Sequence, residues 1–210
     1  MKKKKIAEKN VKAIKDRTTM EEVQKYLKDN FGEYGVRNYT IFQVGKATLL
    51  RVSDVLNLKQ SDVYDQAGNV KRNAEIHDIK TGKRNTLYLS PVRKDLEKYH
   101  DWLVEKGLDK SDWLFPAGKR GRGGGFDTSR PVSTHTFYVT MQQTGEMLGL
   151  NYLGTHTMRK TGAYMVYQQR GHNIGLVMKL LNHSSEETTL AYIGLDREDV
   201  EDQLDKVDFG

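Results

Sequence analysis

The chain has 210 residues, of which 37% are hydrophobic and 30% charged, and it contains no cysteine. A chain of this length and composition is expected to form one main hydrophobic core, and it offers neither disulfides nor thiolate ligands for a metal. No apolar run approaches the roughly 20 residues that span a bilayer, and the lysine-rich start lacks the apolar stretch of a signal peptide. We therefore expect a cytoplasmic protein without a membrane segment.

The net charge of +6 is unevenly distributed along the chain. Residues 1–17 contain eight lysines and arginines against two acids, whereas residues 184–210 contain two basic residues against nine acids. A basic arm on a basic body suits binding to a polyanion such as nucleic acid. Lysines and arginines that neutralise its phosphates release the counterions bound there, which favours the complex. A lysine-rich terminus is equally typical of a disordered, solubilising tail, so charge alone leaves the partner open.

The first half of the chain predicts three helices and a β-hairpin. Thr18 and Thr19 each precede a glutamate by three residues, a capping-box pattern that opens the first helix. A second helix is predicted over about residues 36–50, and Ser53 is predicted to cap a short third one. β-prone residues on both sides of the turn KTGKRN then predict a hairpin, preceded by a weaker strand at residues 62–64.

The second half begins with a helix that Pro91 opens and Gly107 ends. Residues 117–131, AGKRGRGGGFDTSRP, are the one low-complexity stretch, and they either track a phosphate backbone or form a disordered connection between helices. A further helix is predicted over residues 132–148. His135 lies within it and is interpreted as a surface or core histidine rather than a catalytic one.

Residues 156–194 contain the side chains with the clearest chemistry. His156 and Arg159 are three apart, so a helix presents both on one face, and the next helical run ends close to His183. A short helix rich in capping residues then carries Tyr192. A guanidinium matches two phosphate oxygens, an imidazole donates to another or shuttles a proton, and a phenol can attack phosphorus. Together these four side chains predict covalent phosphoryl transfer.

This segment resembles the catalytic core of the tyrosine recombinases, the phage integrase family. The family motif runs His-x-x-Arg, Leu-Gly-His and then the nucleophilic Tyr, and the chain reads HTMR, LNH and AYIG. Three positions depart from the pattern: Lys160 and Gly194 stand where the family often has His, and Asn182 stands where it usually has Gly. None of them removes a reacting group, and Asn tolerates the left-handed conformation that Gly adopts.

The resemblance extends upstream to a further arginine and a lysine. In LLRVSDVLNLK, Arg51 matches the first catalytic arginine of the family and Asp54 the supporting acid that follows it, with Leu in place of the usual Gly. The family carries its catalytic lysine on a hairpin in a Lys-Thr-Gly-Lys-like stretch, which makes Lys80 the match. Lys83 and Arg84 are close rivals for this role.

The fold and the domain layout also follow from the resemblance, which covers about residues 18–207. We expect a mainly α structure with a small antiparallel β-sheet (α+β), the tyrosine recombinase catalytic-domain fold of the DNA breaking-rejoining enzymes. The chain then divides into a basic N-terminal arm or linker remnant, 1–17, and a catalytic domain, 18–210. Since the family usually places a core-binding domain first, we expect a catalytic fragment, with a small single-domain recombinase as the alternative. The acidic end is expected to form a helix that packs on its own core or reaches a neighbouring protomer.

The reaction that the resemblance implies is site-specific DNA recombination by integration, excision or inversion. Six residues are assigned as catalytic: Arg51, Lys80, His156, Arg159, His183 and Tyr192. The arginines and His183 bind the phosphate, and Lys80 protonates the leaving 5′ oxygen. His156 takes the proton of Tyr192 as the phenol attacks. A 3′-phosphotyrosine then conserves the bond energy for strand exchange and religation without ATP, metal or cofactor.

The implied partners are double-stranded DNA and other recombinase protomers, with a tetramer on paired sites, in a bacterial or phage-encoded system. Two alternatives remain open. A type IB topoisomerase uses a similar set of residues to relax DNA, although the Leu-x-His-Ser-Ser wording favours a recombinase. The other alternative is a non-catalytic DNA-binding accessory protein of the same fold, whose function would survive the loss of Tyr192.

Overall fold

The computed structural model describes residues 11–80, 82, 84–119, 123–195, 201, 204–205 and 207–208. Its helices and strands are, in chain order, α1 (Arg17–Asp29), α2 (Gly35–Thr48), α3 (Val52–Leu56), α4 (Gln60–Val63), β1 (Asn73–His77), β2 (Arg84–Tyr88), α5 (Arg93–Glu105), β3 (Pro116–Gly118), β4 (Phe126–Pro131), α6 (Thr134–Met147), α7 (Thr157–Gln169), α8 (Ile174–Leu181) and α9 (Glu186–Tyr192). The predicted class, mainly α with small antiparallel sheets, is confirmed. Within the described residues, no helix is long and apolar enough to cross a membrane.

α2 is the central helix of the domain. It packs against α1, α5 and α7, and its residues Ile41, Phe42 and Val44 have no exposed surface. Apolar residues on all sides are typical of a helix enclosed by others rather than of one lying on a surface. Packing on several sides fixes the position of its C-terminal end, from which the chain continues to Arg51.

α7 crosses α2 at Gly162, where a side chain does not fit. A Cβ built on this residue collides with the carbonyl oxygen of Lys46 and lies 2.6 Å from Cδ2 of Leu49. Gly162→Ala is expected to lower the free energy of unfolding by about 2–3 kcal/mol, since the obstacle is backbone. In Gly175→Ala, the control in α8, the new Cβ meets only Asn173 Oδ1, at 3.5 Å, among the described residues. We expect this variant to raise the free energy of unfolding by up to about 1 kcal/mol. Urea unfolding measures the free energy of unfolding of both variants. Similar changes in the two would contradict the close approach of α7 to α2 at Gly162.

The predicted hairpin is confirmed. β1 and β2 pair antiparallel, with Ala74 opposite Leu87, and both of these side chains are buried in the main core. The other side chains of β1 and β2 are exposed or half-buried. This pattern is expected of a hairpin that packs one face on the core. This packing fixes the base of the hairpin whose turn carries the predicted catalytic lysine.

Two local predictions around α1 and α4 were wrong. The segment 62–64 is not a strand, because Asp62 Oδ2 accepts a hydrogen bond from the Lys59 amide at 2.7 Å and starts the single helical turn of α4. The first helix is capped by Asp16, whose carboxylate accepts from the Thr19 amide at 2.8 Å, and not by a threonine. In both places an aspartate three residues from a free amide decides where the helix begins.

The glycine-rich stretch forms a second ribbon. β3 and β4 pair antiparallel, and the Gly125 amide donates to Glu33 Oε1 at 2.6 Å. Phe126 packs edge-on against Tyr34, with ring centroids 5.3 Å apart. An ordered ribbon, rather than a disordered connection, therefore joins α5 to α6 in the described part of this stretch.

Residues 11–16, assigned to the basic arm, lie against the body of the domain. Ala13 and Ile14 are buried, and the Ile14 amide donates to Thr161 Oγ1 at 2.9 Å. The division of the chain at residue 17 stays a prediction. The acidic end lies mostly outside the described residues, and its predicted helix with it.

Candidate active site

Arg51 is placed by the junction between α2 and α3. Leu49 ends α2 in a left-handed conformation, with φ 56°, which costs roughly 1–2 kcal/mol for a residue with a side chain. The Leu49 side chain is buried in a cluster with Ala163 and Val177, which offsets this cost. Arg51 itself is the N-cap of α3, so the prediction that Ser53 caps this helix was wrong.

Two buried carboxylates hold Arg51 and the hairpin together. Arg51 Nη1 lies 3.3 Å from Asp78 Oδ2, and the Asp78 side chain is only 8% exposed. Asn85 Nδ2 donates to the other Asp78 oxygen at 3.3 Å. The Ile79 amide donates to Asp54 Oδ1 at 2.9 Å. These contacts tie α3 to the start of the turn that carries the predicted lysine, and the supporting role of Asp54 stays a prediction.

α7 begins directly after His156 and carries Arg159 into the interior. Arg159 is 6% exposed, and its Nη2 donates to the carbonyl oxygen of Leu181 at 3.0 Å. Its Nε is buried and has no hydrogen-bond partner in the part of the chain that the structure describes. Burial lowers the pKa of this guanidinium, while the Tyr192 phenol acts in the opposite direction. A buried cation with an unused donor is prepared to receive an anion.

His183 follows the end of α8, where Asn182 takes the left-handed conformation with φ 56°. His183 Nδ1 lies 3.2 Å from Thr189 Oγ1, and this hydroxyl donates to the carbonyl oxygen of Ser185 at 2.8 Å. The hydroxyl therefore accepts from Nδ1–H, and a neutral His183 has no proton on Nε2. Partial burial, and then the positive charges of two nearby arginines, lower the pKa of this imidazole. Donation from Nε2 to an anion requires the protonated ring.

Tyr192 ends α9 and lies between the two histidines. Its Oη is 3.4 Å from His156 Nδ1, and its ring meets that of His183 edge-on, with centroids 5.3 Å apart. Burial raises the pKa of the phenol above its ordinary 10.0, and the positive charges of Arg159 and Arg51 act against this rise. The phenol is therefore protonated near neutral pH and needs a base to become a nucleophile. His156 is in position to be that base.

Lys80 lies on the exposed turn of the hairpin. Its charge contributes to lowering the pKa of His156, after partial burial and the charges of Arg159, Lys160 and Arg51. Lys80 is therefore within electrostatic range of His156. Of its rivals, Lys83 lies outside the described residues, and Arg84 forms an ion pair with Glu75 at 2.5 Å.

Several side chains that support the site were missed in the sequence. Asp78 and Asn85 stand on the hairpin with no local pattern to mark them, because they meet the first arginine only in the folded chain. Thr189 offered one signal, its place four residues after a serine in a capping stretch. Lys160 Nζ lies 5.1 Å from the ring centroid of Tyr192.

Among the described residues, no group of three or more His, Asp or Glu side chains could hold a metal ion.

Residues 12–199 match the model of the phage integrase family. The chain is 30% identical over 189 residues to the probable integrase/recombinase YoeC of Bacillus subtilis (strain 168), covering 90% of this chain and 92% of that protein. It is 25% identical over 189 residues to the tyrosine recombinase XerC of Caldanaerobacter subterraneus subsp. tengcongensis, of which it covers 50%.

Solved recombinase structures share the fold. The post-cleavage complex of the XerH site-specific recombinase superimposes with a TM-score of 0.63 and 22% identity, over 93% of this chain and 53% of that one. XerA recombinase gives a TM-score of 0.61 and 21% identity, over 93% and 64%. The chain thus spans about half the length of XerC and XerH. With its predicted motifs gathered at one site, this chain belongs to the phage integrase family, the tyrosine recombinases that act as DNA strand transferases.

Proposed function

We propose that the chain carries out site-specific DNA recombination through a 3′-phosphotyrosine formed by Tyr192. One observation carries the proposal: the phenol lies 3.4 Å from His156 Nδ1 and near the guanidinium of Arg159, whose Cζ is 5.9 Å from its ring centroid. A base and an anion-binding cation close to a phenol are what phosphoryl transfer to tyrosine requires.

The proposed reaction begins when Tyr192 Oη attacks the scissile phosphorus and its proton passes to His156. The bond from phosphorus to the 5′ oxygen breaks, and Lys80 protonates that oxygen as it leaves. Charge accumulates on the non-bridging oxygens in the transition state, where fixed cations lower the barrier most. Arg51 and Arg159 supply this charge, and His183 adds a donor as the imidazolium. A second 5′ hydroxyl then reverses the step on another strand.

Double-stranded DNA and further protomers are the proposed partners, with a tetramer on paired sites as the working assembly in a bacterial or phage cytoplasm. XerH is described bound to its difH substrate, and lambda integrase as a dimer bound to a core site. A basic chain with a net charge of +6 suits such a partner. The curated relatives are named recombinases and integrases, which favours exchange over topoisomerase-like relaxation and over an accessory role.

The test uses a random pool of nicked duplexes that trap a covalent intermediate. We expect the full chain to form an adduct on a subset of sequences, with the modified peptide containing Tyr192. Plasmids with two copies of the selected site should then recombine, whereas plasmids without it should neither recombine nor relax. An adduct on another residue, or relaxation of every plasmid, would contradict the proposal.

The pH dependence of adduct formation is expected to report His156. Partial burial and then the charges of Arg159, Lys160 and Arg51 lower the pKa of this imidazole below its ordinary 6.5. It is therefore neutral and able to accept a proton at neutral pH, and its protonation should lower the rate as the pH falls below about 6.5. His156→Gln should lose about 10²-fold in rate and abolish this acid limb. Single-turnover rates from about pH 5 to about pH 8 measure both, and an acid limb retained in the variant would exclude this role.

Asp78→Asn removes the charge that faces Arg51 while keeping the shape of the side chain. We expect adduct formation to slow about tenfold, because hydrogen bonds to charged groups contribute about 1.5–3 kcal/mol and Arg51 loses its fixed orientation. Asp109→Asn removes an equal charge from an exposed position and serves as the control. Equal single-turnover rates in the two variants would show that Asp78 does not position Arg51.

A further inference from the structure

The segment of residues 11–16, here called the N-terminal strap, touches three elements of the active site. The Lys12 amide donates to the carbonyl oxygen of Tyr152 at 3.4 Å, just before the turn that leads to His156. The Ile14 amide donates to Thr161 Oγ1 on α7 at 2.9 Å. Lys15 Nζ donates to the carbonyl oxygen of Gly194, just after α9, at 2.6 Å.

The contact of Lys15 falls at the end of the helix that carries the nucleophile. Gly194 takes a left-handed conformation with φ 73°, and the next amide, that of Leu195, turns back to the carbonyl oxygen of Leu190 at 2.9 Å. An ammonium near the C-terminal end of a helix interacts favourably with the carbonyl groups there. Since α9 has only seven residues, its position depends on tertiary contacts rather than on its own stability.

The strap is itself well anchored, so Lys15 starts from a fixed point. Ile14 is 1% exposed, and the partner of its amide, Thr161, lies two residues after Arg159. The side chain of Lys15 passes over the ring of Tyr164 on α7, with Nζ 5.7 Å from the ring centroid. Lys15 thereby links α7, which carries Arg159, to the C-terminal end of α9, which carries Tyr192.

We propose that Lys15 is a positioning residue for Tyr192, holding the C-terminal end of α9 so that the phenol stays against His156. This inference rests on the proposed function of Tyr192 as nucleophile. Lys15 acts through the Gly194 carbonyl and not on the DNA. Loss of its ammonium should therefore slow the covalent step without weakening DNA binding beyond the loss of one charge.

Three variants test the proposal on the full chain and the selected nicked duplex. Lys15→Met keeps the length of the stem without the donor, Lys15→Arg keeps a donor, and Lys12→Met removes the same charge from the same strap. At saturating duplex, we expect adduct formation about tenfold slower in Lys15→Met than in Lys12→Met, with most of the rate restored in Lys15→Arg. The dissociation constants and salt dependence of the two methionine variants should match. Equal rates in these two variants, or a loss confined to DNA affinity, would overturn the proposal.

Amide hydrogen exchange gives a readout independent of catalysis. Lys15→Met should exchange faster than Lys12→Met within residues 186–195, while the amides of α2 and α7 stay protected in both. Unchanged exchange at residues 186–195 would also overturn the proposal, and general loss of protection would identify unfolding instead. If the natural chain forms no adduct at all, the proposed function fails, and the exchange experiment still decides whether Lys15 restrains α9.

Discussion

Tyr192→Phe is expected to abolish the covalent protein–DNA adduct, lowering its rate of formation by at least about 10⁴-fold. The ring keeps its place against His183, but no oxygen is left to attack phosphorus, and loss of a nucleophile is the largest single effect that a substitution has in such enzymes. DNA binding should be unchanged. Stability should stay within about 1 kcal/mol, since among the described residues the Tyr192 hydroxyl has one hydrogen-bond contact, 3.4 Å from His156 Nδ1.

Tyr167→Phe is the matched control. Tyr167 packs in the same apolar cluster as Tyr192, with its ring 4.9 Å from that of His172, so the same atom is lost from a tyrosine outside the site. Denaturing gels of the nicked-duplex reaction measure the adduct, and thermal melting checks the fold. A covalent band that persists in Tyr192→Phe would place the nucleophile elsewhere. Recombination without any covalent band would favour the accessory role.

Arg159→Met is expected to separate catalysis from stability. Arg159 is 6% exposed, and its guanidinium keeps a buried donor without a partner in the described part of the chain. Removing one fixed donor from a developing anion typically costs about 10²–10³-fold in rate, and we expect a loss of this size. Because a buried cation carries a large desolvation cost, an apolar side chain of similar length should leave the melting temperature equal or higher.

A change of substrate identifies the origin of the loss in Arg159→Met. A methylphosphonate at the scissile position replaces one charged oxygen, so the need for a cation is smaller, and the variant should approach the natural chain on this substrate. Arg170→Met, at the exposed end of α7, is the control and should behave as the natural chain on both substrates. A loss that persists on the methylphosphonate, or a melting temperature lowered by many degrees, would point to a structural role for Arg159.

Local patterns in the sequence were sufficient for the longer helices, the hairpin and the motifs. Helical spacing puts His156 and Arg159 one turn apart whatever surrounds them. The left-handed end of α8 suits Asn182 almost as well as glycine, so the chain reaches His183 through the turn that its motif implies. The predicted caps at Thr19 and Ser53 were wrong because a neighbouring residue took that position. Asp16 accepts from the Thr19 amide and caps α1, and Arg51 is the N-cap of α3.

Only the tertiary structure decided how these separate segments become one site. Arg51 meets Asp78 across 27 positions of sequence, and Lys15 meets Gly194 across 179. Such contacts depend on how α2, α7 and the hairpin pack, and no local period or cap encodes them. The sequence by itself determined which groups are available for phosphoryl transfer and in what order they occur. Their distances, burial and resulting pKa directions came from packing, because these depend on what surrounds each group in space rather than along the chain.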